Sequence, residues 1–195
     1  STPIKSSAAS DVYKRQVLDK KVIRKKTAAT VLAVIAAVVL PQVFHSVGIV
    51  SGTGPALGQS FLPMHLPILI AALIAGPVVG IIAGLFSPLI SFALTGMPAS
   101  AMLPFMMVEL LVYGFAAGAL KDVKLPVILK VIIAQFFGRG VRAAAILASF
   151  YIFNIQAVSS SVILSSIVQG LPGLILQWSI IPLFIFWYNK RGENE

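Results

Sequence analysis

"LPMHLPILIAALIAGPVVGIIAGLFSPLISFAL", Leu62 to Leu94, is 33 residues long and carries no charged side chain. A membrane-spanning helix needs about 20 apolar residues, so a run of this length reads as two spans rather than one. The only strong breaker inside it is "AGPVVG", Ala75 to Gly80, where Gly and Pro adjoin. A tight hairpin is expected there. It leaves the first arm roughly 14 residues, or about 21 Å of helix, which is short for a full crossing.

The rest of the chain agrees with that reading. It is 58% hydrophobic and 11% charged, with a mean hydropathy of +0.96, far above a soluble domain. Working outward, one apolar segment precedes the hairpin, at about Thr27 to His45, followed by the Gly/Ser-rich "SVGIVSGTGPALGQS". After the hairpin come the loop "TGMPASAMLP" and a fourth segment, about Met102 to Leu120. The charged turn "KDVKLP" leads into a fifth, about Pro126 to Phe153, with Pro126 suited to the first helical position. Polar "NIQAVSSS" follows, then a sixth segment ending near Tyr188, whose start is blurred by "QGLPG". The expected fold is an all-α integral membrane protein, a six-transmembrane-helix bundle over residues 21–190. Residues 1–20 read as a disordered or artefactual tail, since "SSAASDVYKRQ" resembles a sequence-assembly artefact and lacks the apolar core of a signal peptide. Residues 191–195 read as a short C-terminal tail.

The net charge of +9 invites a nucleic-acid reading, but its distribution argues against one. Lys14, Arg15, Lys20, Lys21, Arg24, Lys25 and Lys26 precede the first apolar segment, and Lys190 and Arg191 follow the last. No basic face with interleaved aromatics appears. Basic flanks on apolar segments mark the cytoplasmic side, and Lys121 and Lys124 fall on that side for six crossings. Both termini are therefore expected in the cytoplasm. Trp187 and Tyr188 are placed at the inner membrane interface.

A charge inside a bilayer costs about 2.5–3.5 kcal/mol on insertion scales, so intramembrane charges tend to be paired, hydrated or functional. Glu109 lies seven residues past Met102, about 10 Å below the outer surface. Arg139 lies 13 residues past Pro126, about 20 Å from the inner side and so at a similar depth. Arg142, at i+3, shares much of its face. His65, His45, Gln42 and Gln169 fall near the outer segment ends, and Tyr113 lies at i+4 from Glu109. A conduction path would carry polar groups at more depths. A one-sided layer suggests a pocket opening outward, lined by Glu109, Arg139, Arg142, His65, Tyr113 and Gln169. The plainer reading is a buried Glu109–Arg139 pair that fixes helix register, with Tyr113 in the core and the histidines as interfacial residues.

Ala29, Ala33 and Ala37 recur every four residues on the first segment. Small residues at that spacing allow close helix approach, either within the chain or to another membrane subunit. No phosphate-binding G-x-x-x-x-G-K-[ST] motif occurs, so no ATP site of that type is present. No H-E-x-x-H motif occurs and cysteine is absent, so neither zinc, disulfide nor thiolate chemistry is implied. No catalytic residue, metal or cofactor is expected.

The six-segment layout, "FLPMHLPILIAALIAGPVVGIIAGLFSPLISFALTGMP", "MVELLVYGFAAGAL", "QGLPGLILQ" and the alanine stretch "AATVLAVIA" together carry a resemblance. Over about Lys26 to Tyr188 the chain resembles the substrate-binding S components of energy-coupling factor (ECF) vitamin transporters. The resemblance implies a vitamin-class ligand bound in an outward-facing pocket of a prokaryotic cell membrane protein, capped by the first extracellular loop. It implies partners: a T-type transmembrane coupling subunit and two cytoplasmic ATPase subunits, on which the S component docks and topples. Ala29, Ala33 and Ala37 would meet the T subunit. ATP hydrolysis would belong to the partners. The alternatives from other classes are a self-sufficient secondary transporter or channel for a small polar solute, and a structural membrane protein with no ligand.

Overall fold

A computed structural model describes residues 4–192 apart from 55, 156, 157 and 160, with side chains from Asp19 onward. The outermost residues of both expected tails, part of "NIQAVSSS", and the side chains of Lys14 and Arg15 lie outside the described residues. Eight helices run in order: α1 (Ile4–Val50), α2 (Ala56–Phe61), α3 (His65–Ala75), α4 (Pro77–Thr95), α5 (Leu103–Ala119), α6 (Val127–Tyr151), α7 (Ser161–Gln169) and α8 (Leu171–Gly192). No strand occurs among the described residues. Among the described residues, five stretches are long and apolar enough to cross a membrane: Asp19–Val50, Ala56–Ala75, Pro77–Thr95, Val127–Tyr151 and Leu171–Gly192. Helix α5 is apolar but only 17 residues long, about 26 Å.

The hairpin lies where expected. Helix α3 stops at Ala75, Gly76 takes φ 96°, and α4 restarts at once on Pro77. That positive φ suits glycine, and Pro at the first helical position loses no helical hydrogen bond. The "KDVKLP" turn also holds, with Pro126 one residue earlier than expected, at the N-cap of α6.

The first segment needs correction. Helix α1 begins at Ile4, inside the expected tail, and ends at Val50 rather than His45. The stretch read as a Gly/Ser-rich loop is thus helical in its first third. It breaks only where Gly52 and Gly54 take positive φ and the Gly54 amide donates to the Gly48 carbonyl at 3.0 Å. A second short helix, α2, takes up the last third.

Helices α3 and α4 touch each other and are flanked by α1 on one side and α5 on the other, α5 continues onto α6, and α8 closes against α6 and α3. Ile68, Leu69, Ala72, Leu110, Tyr113, Ala134 and Ile181 meet at the centre. The outside is apolar as well: Leu32 of α1, Phe136 of α6 and Phe186 of α8 are all exposed. A surface like that is stable against lipid and a liability in water. Trp187 lies at the basic end of α8, with the Arg191 guanidinium 4.6 Å over its ring, the arrangement expected of an interfacial anchor.

Ala33 and Ala37 are 5% and 0% exposed and belong to the central core. At these two positions the alanine stripe is a packing face within the chain, because α1 uses its small side chains to approach α3 and α4. Ala29, nearer the basic end, is half-buried.

Candidate substrate-binding site

Helix α5 presents its acid inward because of the glycines around it. Gly80 and Gly84 on α4, and Gly114 and Gly118 on α5, are each four residues apart. A Cβ on Gly114 would collide with the Gly80 carbonyl, one on Gly84 with the Leu110 carbonyl, and one on Gly118 with Pro77. Small residues at that spacing let two backbones touch, the usual close contact between helices in lipid. With α4 on that face, the opposite side of α5 turns Glu109 and Tyr113 toward α3 and α6. Gly138 of α6 makes room for the Tyr113 ring, since a Cβ there would strike Cδ1 and Cε1.

Glu109 is 1% exposed and His65 3%. Tyr113 Oη donates to Glu109 Oε1 at 3.1 Å, and Arg142 Nη1 donates to Oε2 at 2.9 Å. The His65 ring lies 5.3 Å from that of Tyr113, and its Nε2 is 4.0 Å from Glu109 Oε1. That is too long for a hydrogen bond. Both His65 nitrogens are buried without a partner, as are the Nε atoms of Arg139 and Arg142. The carboxylate still has acceptor capacity for further donors. Unpaired buried donors around it are the kind of polar groups that a bound molecule or water satisfies.

The pairing expected between Glu109 and Arg139 is corrected to Glu109 and Arg142. The two arginines sit about 60° apart around α6 and both line one cleft, but Arg142 is the one bonded to Glu109. Counting residues from the helix starts treats α5 and α6 as flush and parallel. Helix α6 is eight residues longer than α5 (25 against 17), about 12 Å or two turns, so positions counted from the helix starts do not match in depth. Arg139 instead points toward the α7–α8 joint, where a Cβ on Gly170 would lie 3.1 Å from its Nη2. It lines a cleft in which Arg139, Arg142 and Ile146 of α6 face Ile163, Ser166 and Ile167 of α7. The cleft has room for only about 10 Å³, about one water. Ligand pockets usually start near 300 Å³.

Gln169 does not join the cluster. It is exposed on α7, and its Nε2 donates to Gln59 Oε1 of α2 at 2.7 Å. His45 is also elsewhere: its ring packs where a Cβ on Gly58 of α2 would intrude.

A second buried network escaped the sequence reading. Gln135 Nε2 donates to Gln177 Oε1 at 2.8 Å, and Trp178 Nε1 to Gln135 Oε1 at 2.6 Å. Gln177 Nε2 donates to the Leu62 carbonyl at 3.3 Å, at the break between α2 and α3 where Leu62 takes φ 49°. A signal was present: Gln135 precedes Arg139 by four residues and Arg142 by seven, on one face.

A family model described as "ECF transporter, substrate-specific component" matches residues 23–185, most of the chain. Comparisons with curated proteins and with solved structures gave no match. Members of this family are multi-pass membrane subunits rather than enzymes, and associate with ECF T and ATPase modules and a small-molecule ligand. The chain therefore belongs to the family of ECF transporter substrate-specific components.

Proposed function

We propose that this chain captures a vitamin or related small heterocyclic nutrient from outside a prokaryotic cell and delivers it through a T-type subunit driven by two ATPases. The substrate sits in the outer half of the membrane, in the layer formed by Glu109, Arg142, Tyr113, His65 and Arg139. One observation carries the reading: a buried carboxylate with two donors in place, surrounded by buried histidine and arginine nitrogens with none. A pair kept only for helix register would leave fewer orphan groups, since each costs about 1–3 kcal/mol. In this arrangement α5 crosses fourth despite its length and brings the total to six, both termini face the cytoplasm, and Ala29 lies toward the T subunit. Helix α2 covers the site, held to α7 by Gln59 and Gln169. The narrow cleft beside Arg139 widens as α2 and α7 move apart to admit substrate.

Ligand-depleted protein warmed with a panel of vitamin-class compounds tests the proposal. At least one should raise the melting temperature, and Glu109→Gln should weaken its binding by about 1 kcal/mol or more, the scale of a hydrogen bond to a charged group. Unchanged affinity with lowered stability would assign Glu109 to helix register. Uptake by this chain alone in vesicles, without ATPase partners, would point to a secondary transporter.

A further inference from the structure

Charge does not balance in the Glu109 layer. Among residues with described side chains, the acids are Asp19, Glu109 and Asp122. Asp19 stands at the basic end of α1 and Asp122 in the turn between α5 and α6. Glu109 is engaged by Arg142 on one oxygen and Tyr113 on the other. Arg139 is left with its full charge, and no described carboxylate lies within ion-pair distance of it. Its Nε is buried and unpartnered. Across the cleft stand Ile163 and Ile167, and Ser166, whose hydroxyl already donates to the Ile163 carbonyl at 3.0 Å.

Resting on the reading that this layer is the substrate site, we infer that the substrate is a small organic monoanion whose oxygens bind the Arg139 guanidinium and whose apolar body lies against Ile146, Ile163 and Ile167. One carboxylate and two guanidiniums leave one positive charge, and a monoanion neutralises it. The guanidinium offers two parallel N–H donors at a spacing that matches the two oxygens of a carboxylate. Arg142 cannot serve equally, because taking it would strip Glu109 of its counter-ion. A cationic substrate is disfavoured because Glu109 is already neutralised by Arg142, so Arg139 leaves the layer with a positive charge that repels it. A lipid phosphate presents the same oxyanion, so the test must separate the two sources.

Full-length protein is purified into phosphatidylcholine nanodiscs, and small molecules released on denaturation are identified by mass spectrometry. Thermal shifts are measured in parallel with pyridine-3-carboxylate, hexanoate, the neutral amide of each, and inorganic phosphate. The expected result is a released compound that is anionic at neutral pH, or stabilisation by an acid and not by its amide. Arg139→Gln should cut retention or acid-induced stabilisation at least tenfold with the melting temperature of the ligand-free protein unchanged, and Arg139→Lys should fall between. Should Arg139→Gln fail to fold, the lysine variant carries the comparison. A neutral or cationic released compound, or equal retention by Arg139→Gln, overturns the inference and leaves the substrate site standing. Release of phosphatidylglycerol, or loss of acid binding in phosphatidylglycerol nanodiscs, assigns Arg139 to a lipid headgroup and also overturns it. No released compound and no stabilisation by any acid, amide or vitamin-class compound defeats the substrate site itself, and the inference with it.

Discussion

The two flanks of the Glu109 layer are built in opposite ways. Behind it, α4 and α5 meet backbone to backbone at Gly80, Gly84, Gly114 and Gly118, with no room for one added carbon. In front of it, α7 has no buried residue and is tied across to α2 by the exposed Gln59–Gln169 bond. The contrast separates a scaffold from a binding side. A site that must present charged groups at fixed positions needs a wall that cannot move, and a site that must admit substrate needs one that can.

That contrast can be broken most forcefully at the ion pair. Arg142→Ala strands a buried carboxylate, and the stability loss should be about 3–5 kcal/mol. Adding Glu109→Met should recover most of it, since apolar replacement of a whole buried pair is often neutral. Thermal unfolding in detergent reads both. If the double variant is no more stable than Arg142→Ala, the loss came from α6 packing rather than from the pair.

The scaffold side comes next. Gly114→Ala forces apart two backbones and should destabilise by about 1–3 kcal/mol. Gly140→Ala on α6, where nothing lies within 4 Å of an added Cβ, should be neutral or stabilising by up to about 1 kcal/mol. Equal effects would mean that the α4–α5 seam is not rigid. The loose side gives the smallest effect. Gln59→Ala removes one exposed hydrogen bond and should change stability by about 0.5 kcal/mol or less. Its signature is kinetic: ligand association and dissociation should both quicken if that bond holds the cover.

Much of the architecture was legible from apolar length and from glycine–proline pairs. The Gly76–Pro77 reversal and the "KDVKLP" turn are local, so local sequence places them. That Glu109 would be buried against an arginine was legible because a charge in lipid is costly wherever the helix points. Which arginine meets it was not, because residues three apart share a face and the choice depends on the rotation of α6 against the Tyr113 ring at Gly138. The Gln135–Gln177–Trp178 network was passed over because a neutral amide in a span carries a smaller penalty than a charge. The end of α1 was misplaced because Gly48 sits within the helix, and only Gly52 and Gly54, at positive φ, stop it. Ala33 and Ala37 show the limit of a small-residue stripe: spacing identifies a close-packing face but not the helix that fills it.

Native mass spectrometry of the purified chain, wild type against Glu109→Gln, bears most directly on whether the buried layer is the substrate site. A single small-molecule adduct on the wild type, reduced at least fivefold on a Glu109→Gln variant that is still folded, is the expected result. An adduct equally retained by Glu109→Gln would contradict the assignment of the site. So would the absence of any adduct together with no stabilisation by any vitamin-class compound.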